Sequence, residues 1–150
     1  MPAYGYIDAA LEGLLVTGED FIDSTIAQDS AGIGFGKPAF VLEDDASGVY
    51  SANGAGRHLL GVTIRTAKEY AGSGQYFKGE AVGVVRVGKV WVTAGAAVLA
   101  NQPAFLDATT LAWTNVSASN VATPYYFRTS ASAGGLVLLD VTKGPAALGA

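Results

Sequence analysis

Cysteine is absent from this chain of 150 residues, and histidine occurs only once. The lack of cysteine excludes disulfides, zinc–thiolate sites and thiol catalysis. Charged residues make up only 15% of the chain, against about 25% in an ordinary soluble domain. Lysine and arginine are scattered, which disfavours direct binding to nucleic acid. No basic region precedes an apolar core at the start and no apolar run reaches about 18 residues, so we expect neither a signal peptide nor a membrane span.

What the chain does contain is apolar. Hydrophobic residues make up 50% of the sequence, and the net charge is −4. The length suggests one domain, which can bury roughly 70% of its unfolded surface. Two interpretations of the apolar excess remain open. One is a dense β core rich in alanine and valine, and the other is an apolar surface that meets a partner.

The stretch from residue 80 to residue 107 organises the sequence. Valine dominates it, and β-branched residues favour a pleated, half-buried strand. Three glycines interrupt any helical period. Gly88-Lys89 has the form of a two-residue turn, because glycine supplies the positive φ of a type II′ turn. The pattern therefore predicts a hairpin with arms at 80–87 and 90–94, inside a two-sheet core.

Further strands are predicted on both sides of this stretch. Frequent turn signals and the lack of long amphipathic segments predict an all-β, antiparallel sandwich or barrel. The polar run 43–48 is predicted to be a turn, and 115–123 a loop. The predicted strands cover residues 37–42, 49–51, 59–66, 103–106, 111–114, 125–129 and 135–141.

The first 34 residues are predicted to be an extended arm and connector. Ile7 and Leu11 have helical spacing with other apolar residues, but Pro2 and several glycines weaken any helix. A strand at 21–27 is compatible with this part of the chain. We expect the β domain to occupy residues 35–142, followed by an irregular tail at 143–150.

Two segments of the sequence repeat weakly. Pro38-Ala39-Phe40 matches Pro103-Ala104-Phe105, and each copy is followed by an Arg-Thr pair. Two related sets of strands suit a two-sheet sandwich, although a match this short also arises by chance.

Three motifs that resemble chemical sites fail on inspection. His58 has no recognisable nucleophile motif beside it, and a catalytic dyad needs both partners. Residues 32–37 resemble a phosphate loop, but Pro38 replaces the Ser/Thr that would hold magnesium. The three carboxylates at 43–45 are adjacent on a turn and point apart, whereas calcium needs converging oxygens. We therefore expect no enzyme activity, no metal and no cofactor.

The aromatic residues indicate contact surfaces. Tyrosine and tryptophan are enriched at protein interfaces, but on strands they also fill cores. We therefore interpret Trp91 and Trp113 as core residues. The arm residues could fold back on their own β domain, but we expect them to contact a partner, which is either a sister subunit or a different protein. The hypothetical contact set is Tyr4, Tyr6, Ile7, Leu11, Leu14 and Leu15.

Four motifs of the chain are similar to those of the tailed-bacteriophage head decoration proteins, also called structural cement proteins. They are residues 33–39, 85–92, 102–105 and 127–137, and the resemblance runs from about Gly18 to Thr142. It implies a small jelly-roll-like β domain on the outer surface of the capsid of a virion made in the host cytoplasm. It also implies binding to the major capsid protein and dimers that bridge neighbouring capsomers; a trimer is an alternative.

The expected function is therefore capsid decoration without catalysis, nucleic-acid binding or membrane binding. A ligand that binds only the assembled lattice stabilises that lattice. Two other functions remain open: another β-module of the virion, in a tail or fibre, and a jelly roll that binds carbohydrate or a small ligand. An exposed Trp91 or Trp113 in a concave polar site would favour the ligand-binding alternative.

Overall fold

The computed structural model describes residues 12–29, 31–54, 56–65 and 75–141; for residues 17–21 and 45–47 it describes the backbone only. Within these ranges the chain forms eleven strands and no helix. In chain order the strands are β1 Leu15–Ile26, β2 Ile33–Gly34, β3 Pro38–Leu42, β4 Asp45–Tyr50, β5 Arg57–Thr63, β6 Gln75–Tyr76, β7 Ala81–Thr93, β8 Pro103–Leu106, β9 Trp113–Thr114, β10 Val121–Phe127 and β11 Leu136–Asp140.

Nine of these strands form one antiparallel, curled sheet, which confirms the predicted all-β fold. The strand order is β4-β3-β5-β7-β11-β10-β8-β9, and β1 pairs with β7. Strands β2 and β6 form a separate two-stranded sheet. The predicted strands at 37–42, 59–66, 103–106 and 135–141 correspond to β3, β5, β8 and β11 within a few residues.

The hairpin predicted at Gly88 is wrong, because β7 continues through this residue as one strand of 13 residues. Val87 pairs with Phe21 and Lys89 pairs with Val16, so residues 17–20 of β1 lie opposite Gly88 alone. Gly88 does have a positive φ, at 145°. Its flexibility therefore serves a bulged register between two paired strands, and not a reversal of the chain.

β7 is long because three strands pair with it. β1 follows it from Ala81 to Val90. β5 pairs with its first half at Val84 and Val85, and β11 pairs with its second half from Lys89 to Thr93. Within the first 34 residues, 15–26 and 33–34 thus belong to the sheets. Residues 1–11 and 142–150 lie outside the described ranges, so the arm and the tail stay predictions there.

The polar turn predicted at 43–48 is shorter than expected. β3 and β4 form a hairpin in which Leu42 pairs with Asp45, so only Glu43 and Asp44 form the loop. Asp45 already belongs to β4. Similarly, the predicted loop at 115–123 ends at Val121, where β10 begins.

The core consists of two apolar clusters. The larger cluster contains the valines of the second half of β7 together with Phe40, Leu106, Trp113 and Phe127. The smaller cluster lies around Phe35 and Tyr76, whose rings meet edge to face at 5.3 Å. The β-branched residues of β7 therefore face buried surfaces on both halves of the strand, as the valine-rich sequence predicts.

The sheet contains two copies of the same strand pattern. From one edge the strand order is β4-β3-β5-β7, and from the other edge it is β9-β8-β10-β11. The strands at the same place in the two series correspond, so β4 matches β9, β3 matches β8, β5 matches β10 and β7 matches β11. Phe40 pairs with Tyr50 in the first copy, and Phe105 pairs with Thr114 at the same place in the second. β7 closes the first repeat, β1 to β7, and also opens the second repeat, β7 to β11.

Backbone hydrogen bonds support this equivalence in detail. Gly36 N donates to Thr63 O (2.8 Å), and Thr63 N donates to Lys37 O (2.9 Å). The second repeat forms the same ring of bonds. There Asn101 N donates to Phe127 O (2.7 Å), and Phe127 N donates to Gln102 O (3.0 Å). Gly36 and Asn101 have nearly the same positive φ, 70° and 71°.

Candidate functional site

The motifs that resemble chemical sites are placed apart in the structure. His58 is exposed on β5, where it pairs with Val41. Glu43 and Asp44 are exposed at the tip of the β3–β4 hairpin. Over the described ranges, no group of three histidine or acidic side chains is arranged to hold a metal ion. None of these residues therefore assembles into a recognisable catalytic or metal site.

The loop 32–37 is occupied by internal contacts. Ile33 and Phe35 are buried, each 2% exposed. Gly36 N donates to Thr63 O, and Lys37 N donates to the Oγ1 atom of Thr63 at 3.0 Å. These N–H groups bind the chain itself, so the loop has no free cradle for a phosphate at these positions.

The junction between the arm and the sheet is held firmly at Glu12 and Gly13. Gly13 N donates to Trp91 O (2.6 Å), and Arg65 N donates to Gly13 O (2.7 Å). The Nε atom of Arg65 donates to Glu12 O (2.9 Å), and Lys37 Nζ lies 3.2 Å from a carboxylate oxygen of Glu12. The chain therefore enters the β domain at a fixed point beside the start of β3.

Of the six predicted contact residues, four precede Glu12 and Gly13 in the chain and two follow them. Tyr4, Tyr6, Ile7 and Leu11 lie outside the described residues. Leu14 is 39% exposed. Leu15 packs against the larger core cluster and pairs with Val90. Of the contact residues that the structure describes, both therefore lie at the sheet, and the contact of all six with a partner stays a prediction.

Several large apolar side chains outside that set are exposed, and for Leu99 and Val116 no sequence pattern predicts it. Leu99 is 62% exposed and Val116 is 49% exposed. Ile22 and Ile26 are exposed on alternate positions of β1, with Ser24 between them. Alternation in this strand indicates one outward face, but sequence alone does not tell which face of a strand is covered.

An open groove of about 650 Å³ lies beside Leu99. Three of its four polar side chains form hydrogen bonds within the surrounding loops. The Oε1 atom of Gln102 accepts hydrogen bonds from Leu99 N and from Asn115 Nδ2, each at 2.8 Å. The hydroxyl of Ser130 accepts one from Ala100 N at 3.0 Å. What the groove offers a partner is therefore mainly apolar surface, lined by Ala97, Val98, Leu99 and Ala131.

Trp113 and Tyr125 belong to the core, whereas Trp91, which was also predicted to be a core residue, lies outside both core clusters. Trp113 is 2% exposed and donates its indole N–H to Gly36 O at 3.0 Å, while Trp91 is half-buried. Burial raises the pKa of Tyr125 to about 12, and Arg86 opposes that shift. Trp113 therefore does not form the exposed stacking surface that a carbohydrate site requires.

The sequence matches one family model over residues 2–142, nearly its whole length; its description is structural cement protein (E217 gp24/Pam3 gp6). The chain belongs to the structural cement protein family. The resemblance found in the sequence is thereby confirmed. Membership gives the cement protein a structural role associated with the phage capsid.

A solved structure, "The capsid of Myoviridae Phage XM1", contains a chain whose fold is similar to that of this protein. The TM-score is 0.70 at 18% sequence identity, covering 89% of this chain and 90% of that one. At this identity the likeness supports the fold alone. A comparison of this chain with curated proteins found no match. No helix within the described ranges is long and apolar enough to cross a membrane.

Proposed function

We propose that this protein binds the outside of a phage head and stabilises the lattice of the major capsid protein by bridging neighbouring capsomers. Membership in the structural cement family is the observation that carries the proposal. The fold is compatible with this proposal. A bridging protein has to connect two neighbouring capsomers, and a single curled sheet with a continuous central strand can span the distance between them as one unit.

The mechanism is thermodynamic linkage. A protein that binds the assembled lattice but not the separated capsid subunits lowers the free energy of the assembled state only. Many copies on one shell multiply this effect, since each bridge holds its neighbours at a high effective concentration. No bond is made or broken, so the function needs surface contacts and no reactive groups.

Exposed apolar side chains supply such contacts. Four such side chains lie on the surface of the described part of the molecule: Leu99 in the groove, Val116, and Ile22 and Ile26 on β1. Burying side chains of this kind is worth roughly 1.5–3 kcal/mol each, before the cost of association. We propose that residues 1–11, with Tyr4 and Tyr6, add a further contact with a sister subunit in a homodimer.

Heads assembled without this protein provide the test. Purified protein should bind expanded heads and raise the temperature at which they release DNA, as measured by a fluorescent dye. Unexpanded shells of the same capsid protein are the control and should bind less. If expanded heads released DNA at the same temperature with and without bound protein, the proposal would be contradicted.

A further inference from the structure

The two repeats differ most where the first one contains an aromatic pair. Phe35 and Tyr76 are both nearly fully buried, and their rings pack edge to face. Ile33 pairs with Tyr76 in the first repeat, and Val98 pairs with Ala131 in the second. Gly36 corresponds to Asn101, so Phe35, one residue earlier, corresponds to Ala100. The matching pairs show in the same way that Tyr76 corresponds to Ala131.

This replacement accounts for the groove. Two alanines stand where the first repeat has two rings, and aromatic side chains bury 150–250 Å² each. Ala131 lines the groove, and Ala100 is exposed, whereas Phe35 is buried. The volume of about 650 Å³ lies in the range of pockets that bind ligands. The first repeat thus indicates that an aromatic side chain fits this place in the fold.

We propose that the groove of one copy receives a tyrosine from the N-terminal segment of a second copy. This inference rests on the proposed function, in which residues 1–11 contact a sister subunit. The segment carries Tyr4 and Tyr6, which supply the aromatic rings that the second repeat lacks. In the first repeat the hydroxyl of Tyr76 donates to Ile64 O at 2.6 Å. The counterpart of Ile64 is Arg128, whose carbonyl is the expected acceptor for the bound tyrosine.

The segment leaves the sheet in one repeat, and the groove lies in the other. Glu12 is held beside Lys37 at the start of β3 in the first repeat. The groove lies in the second repeat beside Gln102, the counterpart of Lys37. In a twofold dimer each copy would offer its segment to the groove of the other, so that one interface uses both segments and both grooves. Tyr6 is six residues from Glu12 and Tyr4 is eight, so an extended segment carries these side chains at most about 22 Å and 29 Å from the sheet.

Cysteine cross-linking tests the proposal, because the chain has no cysteine of its own. Gly5→Cys places a thiol between the two tyrosines and keeps both, and Ser132→Cys places one at the exposed rim of the groove. When the two full-length variants are mixed and mildly oxidised without capsids, a disulfide-linked dimer of one copy of each should form. Intact-mass spectrometry distinguishes it from dimers of either variant alone.

Lys78→Cys is the matched control. Lys78 is exposed on the turn that corresponds to Ala133, next to Ser132, but it belongs to the first repeat. Gly5→Cys should cross-link to Ser132→Cys at least about tenfold faster than to Lys78→Cys. Equal rates would overturn the proposal. An internal disulfide in the Gly5→Cys/Ser132→Cys double variant, without mixed dimers, would also overturn it, because the segment would then fill the groove of its own copy.

Filling the groove provides a second test. Ala131→Tyr restores the residue of the first repeat and should reduce the mixed cross-link at least about tenfold, while Ala131→Ser should leave it unchanged. Circular dichroism checks that both variants keep the β fold. Because these experiments use no capsids, cross-linking can fail while attachment to heads succeeds. The proposed function and this inference therefore fail separately.

Discussion

The indole N–H of Trp113, in the second repeat, donates to the carbonyl oxygen of Gly36, in the first. This buried hydrogen bond joins the two halves of the sheet. Trp113→Phe should lower the free energy of unfolding by about 1–3 kcal/mol, because it leaves the carbonyl of Gly36 without this donor. Urea denaturation measures the change. Trp91→Phe is the control at a half-buried position and should cost less; an equal loss in both variants would contradict this account.

Gly13 combines a positive φ with a close approach of the chain. Its φ is 82°, and a Cβ there would lie 2.7 Å from the Cβ of Phe35 and 2.9 Å from Arg65 N. Gly79 has a similar φ, 91°, with nothing within 4 Å of its Cβ position. Gly79→Ala should cost about 1 kcal/mol for the left-handed conformation alone, and Gly13→Ala more than about 3 kcal/mol. Similar melting temperatures for the two variants would refute the close contact at Gly13.

Two deletions should behave differently at the junction between arm and sheet. Removing residues 2–11 should leave a single cooperative unfolding transition, because Glu12, Gly13 and Leu15 keep their contacts. Removing residues 2–16 should destabilise the domain severely, since it deletes the hydrogen bonds of Gly13 with Trp91 and Arg65 and the partly buried side chain of Leu15. Thermal unfolding followed by circular dichroism compares them. If the shorter deletion also abolished cooperative unfolding, residues 1–11 would be part of the core.

Tyr125 should make stability depend on pH in the alkaline range. Its pKa is raised to about 12 by burial, whereas an unfolded tyrosine titrates near pH 10. Between these values the unfolded state loses the proton and the folded state keeps it, so stability falls as pH rises from about 10 to about 12. The loss should be on the order of 2 kcal/mol. Denaturation at pH 9 and pH 11.5 measures it, and Tyr125→Phe should lose less over the same interval.

The repeat is the part of the fold that the sequence indicated best. Pro38 and Pro103 stand at equivalent places, pairing with Val62 and Tyr126. The Arg-Thr pairs that extended the match are one residue out of step, because Thr63 corresponds to Phe127 and Arg65 therefore to Thr129. A short loop difference shifts the side chains while the backbone pairing is kept, and sequence comparison alone cannot detect that shift.

The error at Gly88 has a different cause. Glycine permits positive φ in a turn and in a bulge alike, so Gly88-Lys89 favours a hairpin only if no neighbouring strand pairs across it. That neighbour is β1, which is far away in sequence and has three acidic residues and one glycine among its twelve residues. The groove was also hidden from sequence analysis, since alanine at position 131 has meaning only beside its counterpart Tyr76.

Because both repeats include β7, the folded protein should resist proteolysis. Detaching β5 would uncover Val84 and Val85, and detaching β11 would uncover Val90 and Val92. All four valines are completely buried, so opening either repeat exposes apolar surface on the strand that the other repeat needs. Local openings of the sheet should therefore be rare, and the lifetime of the protein in a protease-rich environment should follow the unfolding of the whole domain.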